Sequence, residues 1–552
     1  MRTRGRLLVW LLAGGLALSA GCERTASGPA ADCVAIASTN DLHGTLEPLT
    51  LEAGGRKVRY GGLEVLASYV AVLRERFGAR MLLLDAGDFY QGSVVSNLSE
   101  GRAVIAAMNT LGYDAATLGN HEFDFGAGVS VTPGTEPPDA DRLRVVRARV
   151  AEARFPFVVV NVGEKAAHTR IEWANTVPTL LVDKGGVRVG IVGVITPDTP
   201  RVTRPQNVET LEFIEPAALV VGAAETLRAQ GAKLVVLLAH MGGECERTDN
   251  PNDLSSCDAD SELFHLLREL PRGTVDVAVG GHSHQLVAHW VNGVATMEAG
   301  ARARNLGWID ACVAPSGGID RTRSTIHSPV PVCLDAWQDG TCGGAPRGEL
   351  RAATFLDHPI GVSDAIARVV APFAAQVHAE AERRIGIRLP EPLVRLTSAG
   401  RTPLGDAVSE ALRKATGARV AVHNRGGVRT DLPAGSLTFS MIFEALPFDN
   451  RVALMQLTGA ELRAFVAHLR GRRNEAPLVS GLELGAKPDE VRLSGGAPIA
   501  DDATYSVATN DFLALGGEGL ARVFKAARDR TQVLDADLRT ALIAYLREKY
   551  PE

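Results

Sequence analysis

Val34-Ala35-Ile36-Ala37, followed two residues later by Asn40-Asp41-Leu42-His43-Gly44, sets the pattern by which the N-terminal half of the chain is read. A short apolar run stops abruptly in a cluster of polar residues and glycine. Runs of the same kind recur at 81–84, 158–160, 187–194, 233–238 and 275–279, with a helical pattern at 62–77 between two of them. Short apolar runs without alternation suit strands buried on both faces, as layered α/β folds require.

The chemistry sits where these runs end. Besides 40–44, the clusters are Gly87-Asp88, Gly119-Asn120-His121-Glu122-Phe123-Asp124, Ala239-His240-Met241-Gly242 and Gly280-Gly281-His282-Ser283-His284. Loops that follow a buried sheet can converge on one site. Each cluster offers Asp, Asn or His, ligands that bind Zn²⁺, Mn²⁺ or Fe²⁺ without thiolate. Any one of them alone is more simply a cap or a turn former. Together, Asp41, His43, Asp88, Asn120, His240, His282 and His284 fill two metals if one carboxylate bridges, since one metal takes about four ligands. Two cations ~3.5–4 Å apart can activate water while neutralising the oxygens of a phosphoryl group.

The order D-x-H, GD, GNHE, a His after an apolar strand, and GHSH resembles that of the calcineurin-like metallophosphoesterases. Within them, the DLHG opening, the GNHEFD sequence and the second half of the chain resemble the 5'-nucleotidase family, which includes periplasmic UDP-sugar hydrolases and ecto-nucleotidases. The resemblance covers nearly the whole mature chain. It implies an α/β fold: a four-layer β-sandwich flanked by helices, with a second α/β substrate-binding domain joined by a linker helix. It also implies two divalent metal ions (Zn, Mn or Fe), one held by Asp41, His43 and His284, the other by Asn120, His240 and His282, with Asp88 bridging. In the family the GNHE histidine is not a ligand but sits over the phosphate with an Asp orienting it; here these are His121 and Asp124. A cationic donor aimed at developing charge in a dry site contributes several kcal/mol, roughly 3.

Past residue 350 the strand pattern gives way to a helical stretch at 363–384, with Ile366, Val369, Val370 and Phe373 at helical spacing. A helix at 404–416 and strands at 419–422, 452–457 and 504–508 then mark a second unit. The expected division is a signal peptide at 1–21, a tether at 22–32, the phosphoesterase domain at 33–350, the linker at 351–385 and the substrate-binding domain at 386–552. In that second domain, Asn424-Arg425-Gly426-Gly427-Val428-Arg429, Pro447-Phe448-Asp449-Asn450 and Asn510-Asp511-Phe512-Leu513 resemble the family's nucleotide-binding motifs. By that correspondence Phe448 and Phe512 stack on a base, and Asn424 and Arg429 contact base, ribose or phosphate. Arg401, before Leu404-Gly405, is a further candidate phosphate contact. Glu518 stands where the family commonly has a ribose-binding Asp, and its extra methylene moves the carboxylate by ~1 Å or more.

Composition sets the compartment. A net charge of −6 and a pI near 6.2 give no basic face for a nucleic-acid polymer. Arg2, Arg4 and Arg6 precede an apolar run at 7–18, shorter than the ~20 residues a membrane span needs, which reads as a signal peptide. The run ends in Leu18-Ser19-Ala20-Gly21-Cys22, which resembles the bacterial lipobox. Lipidation of Cys22 then gives an exported lipoprotein, membrane-anchored and facing the periplasm or the cell surface. The other six cysteines allow up to three disulfides in fifteen connectivities; short-range pairing favours Cys245 with Cys257 and Cys333 with Cys342, leaving Cys33 for Cys312. No C-x-x-C pair points to zinc. A monomer is expected.

The expected reaction is in-line attack of a metal-bridged hydroxide on a nucleoside 5'-phosphate, giving nucleoside and phosphate. The same metals would serve a 2',3'-cyclic phosphodiester, a UDP-sugar or dinucleotide pyrophosphate, or a thiosulfate group on a carrier protein. A surface binding protein with a decayed phosphatase fold is the non-enzymatic alternative, against which stands the full set of seven ligand positions.

Overall fold

The run at 34–37 becomes the strand Cys33–Thr39, buried along its whole length, near the middle of an eight-stranded sheet. The computed structural model describes residues 32–128, 140–397, 400–473, 476–487 and 490–552. The signal run and Cys22 lie outside the described residues.

Alternation across Cys33–Thr39 explains why the run is continuously apolar. Val34 and Ile36 enter the layer between two sheets, while Ala35 and Ala37 face a layer of helices. Met81–Asp85, Ala115–Ala116, Phe157–Val158 and Thr176–Val177 continue this sheet in parallel, and Asn305–Cys312 closes its other side antiparallel. The facing six-stranded sheet runs Thr179–Lys184, Val187–Ile195, Leu234–His240, Val277–Val279, Val294–Ala299, Leu286–Val291. Its residues divide the same way: Val189, Ile191, Leu234 and Val236 meet the first sheet, and Val192, Val194, Val235 and Leu237 meet the helices Ala217–Ala229 and Glu262–Glu269. Helix, sheet, sheet and helix make four layers, as the sequence implied.

All three disulfides join the favoured pairs: Cys33–Cys312, Cys245–Cys257 and Cys333–Cys342. The first ties two neighbouring strands at directly opposed positions.

The helix Asp364–Ala381 begins at Ser363, whose Oγ caps the Ile366 amide at 3.4 Å. Ile366 and Val370 pack into the first unit's helical layer, and Val377 meets Phe443 of the second unit. The helix is shorter than the pattern 363–384 suggested. Arg384–Leu389 is instead a strand paired with Gly435–Thr438, because Ile385, Ile387 and Leu389 alternate with less buried residues at a period of two.

The second unit is a five-stranded mixed sheet ordered Leu478–Ser480, Val420–His423, Thr504–Asn510, Arg451–Thr458, Thr531–Asp537. Helices Pro403–Thr416 and Leu538–Lys549 cover one face and Gly459–Arg473 the other. Val420–His423 and Thr504–Asn510 run parallel, so the loops after both leave from one end of the sheet. The loop before Arg451–Thr458 lies at that same end, because this strand is antiparallel to its neighbour. No described helix is long and apolar enough to cross a membrane.

Candidate metal centre and substrate cavity

Every ligand cluster of the first unit starts where a parallel strand stops. Thr39 leads into Asp41 and His43, Asp85 into Asp88, Ala116 into Asn120, His240 ends its own strand, and Val279 leads into His282 and His284. Crowding so many side chains onto one point strains the backbone. Asp41, His43, Asp88, His282 and His284 all have positive φ, between 46° and 78°. Non-glycine residues persist in that region only where the surroundings fix them, and such residues gather at functional sites. Gly119 is forced by the same crowding, since a Cβ there would lie 2.2 Å from Asp88 Oδ1.

The candidates fall into two groups. Asp41, His43 and His284 bring their ligand atoms within 4.8 Å of one another, and so do Asp88, His240 and His282. His284 Nε2 and His43 Nε2 lie 3.2 and 3.8 Å from Asp41 Oδ1. In the second group His240 Nε2 is 3.1 Å from both Asp88 Oδ2 and Asn120 Oδ1. The main-chain contacts fix how the rings face. His43 Nδ1 donates to the Gln91 carbonyl at 2.9 Å and His240 Nδ1 to that of Ala86 at 2.8 Å, which turns both Nε2 atoms inward.

The result is a concentration of acceptors. Asp41 Oδ1 is buried without a hydrogen bond, while Oδ2 accepts from Asn40 Nδ2 and the His282 amide. Burial disfavours the charged form of His240, yet the carboxylates of Asp88 and Asp41 outweigh it and lift its pKa to about 10. Asp88 is also buried, but His240 and His121 hold its carboxyl well below the ordinary range. A pocket of oxygen and imidazole donors that calls for positive charge fits divalent cations of the zinc, manganese or iron type.

His121 stands beside the two groups. Its Nδ1 is 2.5 Å from Asp124 Oδ2, leaving Nε2 toward the cavity, 3.9 Å from Asp88 Oδ2. Burial lowers its pKa, but Asp124 and Asp88 prevail and the net shift is upward. Thr203 Oγ1 holds the other Asp124 oxygen at 2.8 Å.

A cavity of about 1530 Å³ opens over this centre. Asp88, Asn120, His121, His282 and His284 line it from the first unit, and Asn424, Arg429, Phe448, Phe512 and Glu518 from the second. Arg429 Nη2 lies 2.9 Å from His43 Nε2, so its guanidinium reaches the candidate metal group of the first unit. Asn424 is one member of a polar chain, accepting from Asn510 Nδ2 at 3.1 Å and donating to Glu518 Oε1 at 3.4 Å. Glu518 has a φ of 56°, and its carboxylate accepts from Asn424. Arg401 is exposed and does not line the cavity; Arg395, six residues earlier, does.

Several residues at the site had no role in the sequence. Glu122, inside the GNHE cluster, accepts from the amides of Asp88, Phe89 and Gly119 at 2.8, 3.0 and 2.6 Å and so shapes the loop that presents Asp88. Its place in the motif was a usable signal. Glu298 binds Ser283 Oγ and the Gly243 amide, joining the loops after His240 and around His282. Nothing local marks it, or Thr203, in the sequence.

Residues 34–286 match the calcineurin-like phosphoesterase family, and residues 379–526 match the 5'-nucleotidase C-terminal domain. The chain is 26% identical over 476 residues to protein UshA of Yersinia enterocolitica, taking in 81% of this chain and 79% of that protein. It is 25% identical over 580 residues to cell wall protein Lmo0130 of Listeria monocytogenes, covering 98% of this chain and 70% of the relative. Among solved structures it is similar to a 5'-nucleotidase precursor from Thermus thermophilus, with a TM-score of 0.74, 26% identity, and coverage of 94% of this chain and 97% of that one.

Proposed function

Because the chain belongs to the calcineurin-like phosphoesterases that carry a 5'-nucleotidase C-terminal domain, and is a hydrolase of phosphoester bonds, we propose that it releases phosphate from nucleoside 5'-phosphates. Asp41, His43 and His284 would hold one divalent cation and Asn120, His240 and His282 the other, with Asp88 shared. Such a pair supplies a water-derived nucleophile at neutral pH and neutralises phosphoryl oxygens. His121, whose pKa Asp124 and Asp88 raise against the effect of burial, would donate from Nε2 to the charge that develops on the phosphoryl group. Arg429 binds phosphoryl oxygens with its fork of N–H donors. Phe448 and Phe512 flank the base, and the Asn424–Glu518 pair takes the ribose side.

The observation that carries this reading is the span of one loop. Asn424 joins the polar chain with Asn510 and Glu518, and Arg429, five residues on, reaches the His43 ring of the other unit. One short segment therefore supplies both a side chain at the candidate metal centre and one at the far part of the cavity, as a nucleotide with a phosphate at one end and a base at the other requires. A phosphate-release panel of AMP, ATP, UDP-glucose, NAD and cyclic nucleotides tests it. Release fastest from AMP is the expected result; turnover of cyclic nucleotides alone would refute it.

One observation favours a second reading. The cavity exceeds the roughly 300–1,000 Å³ of an ordinary small-ligand site, and Arg302, Arg304 and Arg395 line it beyond Arg429. A UDP-sugar or dinucleotide pyrophosphate would use that added length and charge.

We place the reaction outside the cytoplasm, on a monomer with domains at 33–350 and 386–552 and a linker at 351–385, anchored through a lipid on Cys22. Three disulfides and the similarity to a cell wall protein support export. Metabolic labelling with a palmitate analogue, lost in Cys22→Ser, tests the anchor.

A further inference from the structure

We propose that Asn97 and Arg204 are positioning residues that lock the Pro447-Phe448-Asp449 turn of the second domain onto the phosphoryl site of the first. The turn is held from two sides by alternate carbonyls. Those of Leu446 and Phe448 accept from Arg539 Nη1 of their own domain, both at 3.2 Å. Those of Pro447 and Asp449 point the other way and accept from the first domain: Asn97 Nδ2 at 2.9 Å and Arg204 Nη2 at 2.6 Å.

Each first-domain donor is one short link from the chemistry. Asn97 is buried, and its Oδ1 accepts the Gly92 amide at 2.7 Å. The residue before that glycine is Gln91, whose carbonyl orients the His43 ring. Arg204 follows Thr203, which holds Asp124, which holds His121. Between the two grips Phe448 sits with its ring centroid 5.6 Å from that of His121 and with the Arg429 guanidinium carbon 5.9 Å from its own. The two side chains thus tie the seating of the second domain on the first to the alignment of Phe448 and Arg429 over the site. A carbonyl partner is indifferent to the base, so the lock serves any nucleotide.

The proposal rests on the nucleotide reading only for its choice of substrate. Asn97→Asp keeps the acceptor for the Gly92 amide and removes the donor to Pro447, so it tests the contact between domains apart from the fold of the first. Arg204→Met removes the other donor at similar length, and Arg204→Lys restores one. Two readouts apply: KM for AMP, and the distance between spin labels at the exposed positions Glu225 and Arg522 in protein holding adenosine and phosphate. Each single variant should raise KM about tenfold, the scale of one lost hydrogen bond, and broaden the label distances, with metal content retained. Arg204→Lys should recover most of both. Wild-type KM and wild-type distances in the double variant would overturn the lock, as would loss of metal, which assigns the residues to the fold. If no nucleotide is turned over, the label distances still decide the proposal.

Discussion

Arg429 of the second domain donates from Nη2 to His43 Nε2 of the first at 2.9 Å. A side chain of the second unit thereby reaches the candidate metal group of the first. Arg429→Ala is expected to lower kcat/KM for AMP by about 100-fold, the loss of a charge-assisted pair, with metal content unchanged. Steady-state kinetics beside elemental analysis checks it.

His121 and Asp88 are adjacent but should fail differently. Asp88 faces His240 at 3.1 Å inside a group that could hold a cation, whereas His121 is held beside it by Asp124. His121→Ala should keep metal and lose roughly 10²–10³ in kcat, the scale of one missing donor to developing charge. Asp88→Ala should lose metal itself. Equal metal content and equal activity in the two variants would contradict both assignments.

Phe512 is half-buried, and its ring fixes a glycine, since a Cβ at Gly517 would lie 2.4 Å from it. Phe512→Ala should raise KM for AMP roughly tenfold or more, as base stacking contributes ~1–3 kcal/mol. KM for 4-nitrophenyl phosphate should rise less. An equal change for both substrates removes the stacking role.

His423 gives the second domain a sensitivity to acid. Burial depresses its pKa to about 4, only partly offset by the hydrogen bond from Nδ1 to the Asn424 carbonyl. Between about 6.5 and 4 the unfolded chain binds a proton that the folded one does not, so stability is complete above that window and falls as pH drops through it. The full loss is on the order of 3 kcal/mol. Urea unfolding at pH 7 and pH 4.5 should show a smaller difference in His423→Gln than in the wild type.

The first domain was legible because its chemistry is local to strand ends. Val34 to Ala37 announces a buried strand, and the residues after it can only be at the carboxyl end of that strand. Asp41, His43, Asp88, Asn120, His240, His282 and His284 could therefore be assigned to one place without knowing the strand order. The second domain was less legible because its site depends on the path of the chain between motifs. Arg401 lies nearer the Leu404-Gly405 signal than Arg395 does, yet only Arg395 lines the cavity. The strand Arg384–Leu389 begins within three residues of the end of the helix at Ala381, so the boundary between the two reads at 384, inside the strand. The grips of Asn97 and Arg204 on main-chain carbonyls leave no trace in sequence, since a carbonyl partner carries no side-chain identity.

The proposed function joins a dinuclear centre in one domain to a nucleotide slot in the other. Its most direct test is phosphate release from AMP by metal-free protein titrated with Mn²⁺, with bound metal counted at each step. Activity that rises until two equivalents are bound and disappears in Asp88→Ala is the predicted result. Two bound equivalents with no phosphate released from AMP would contradict it.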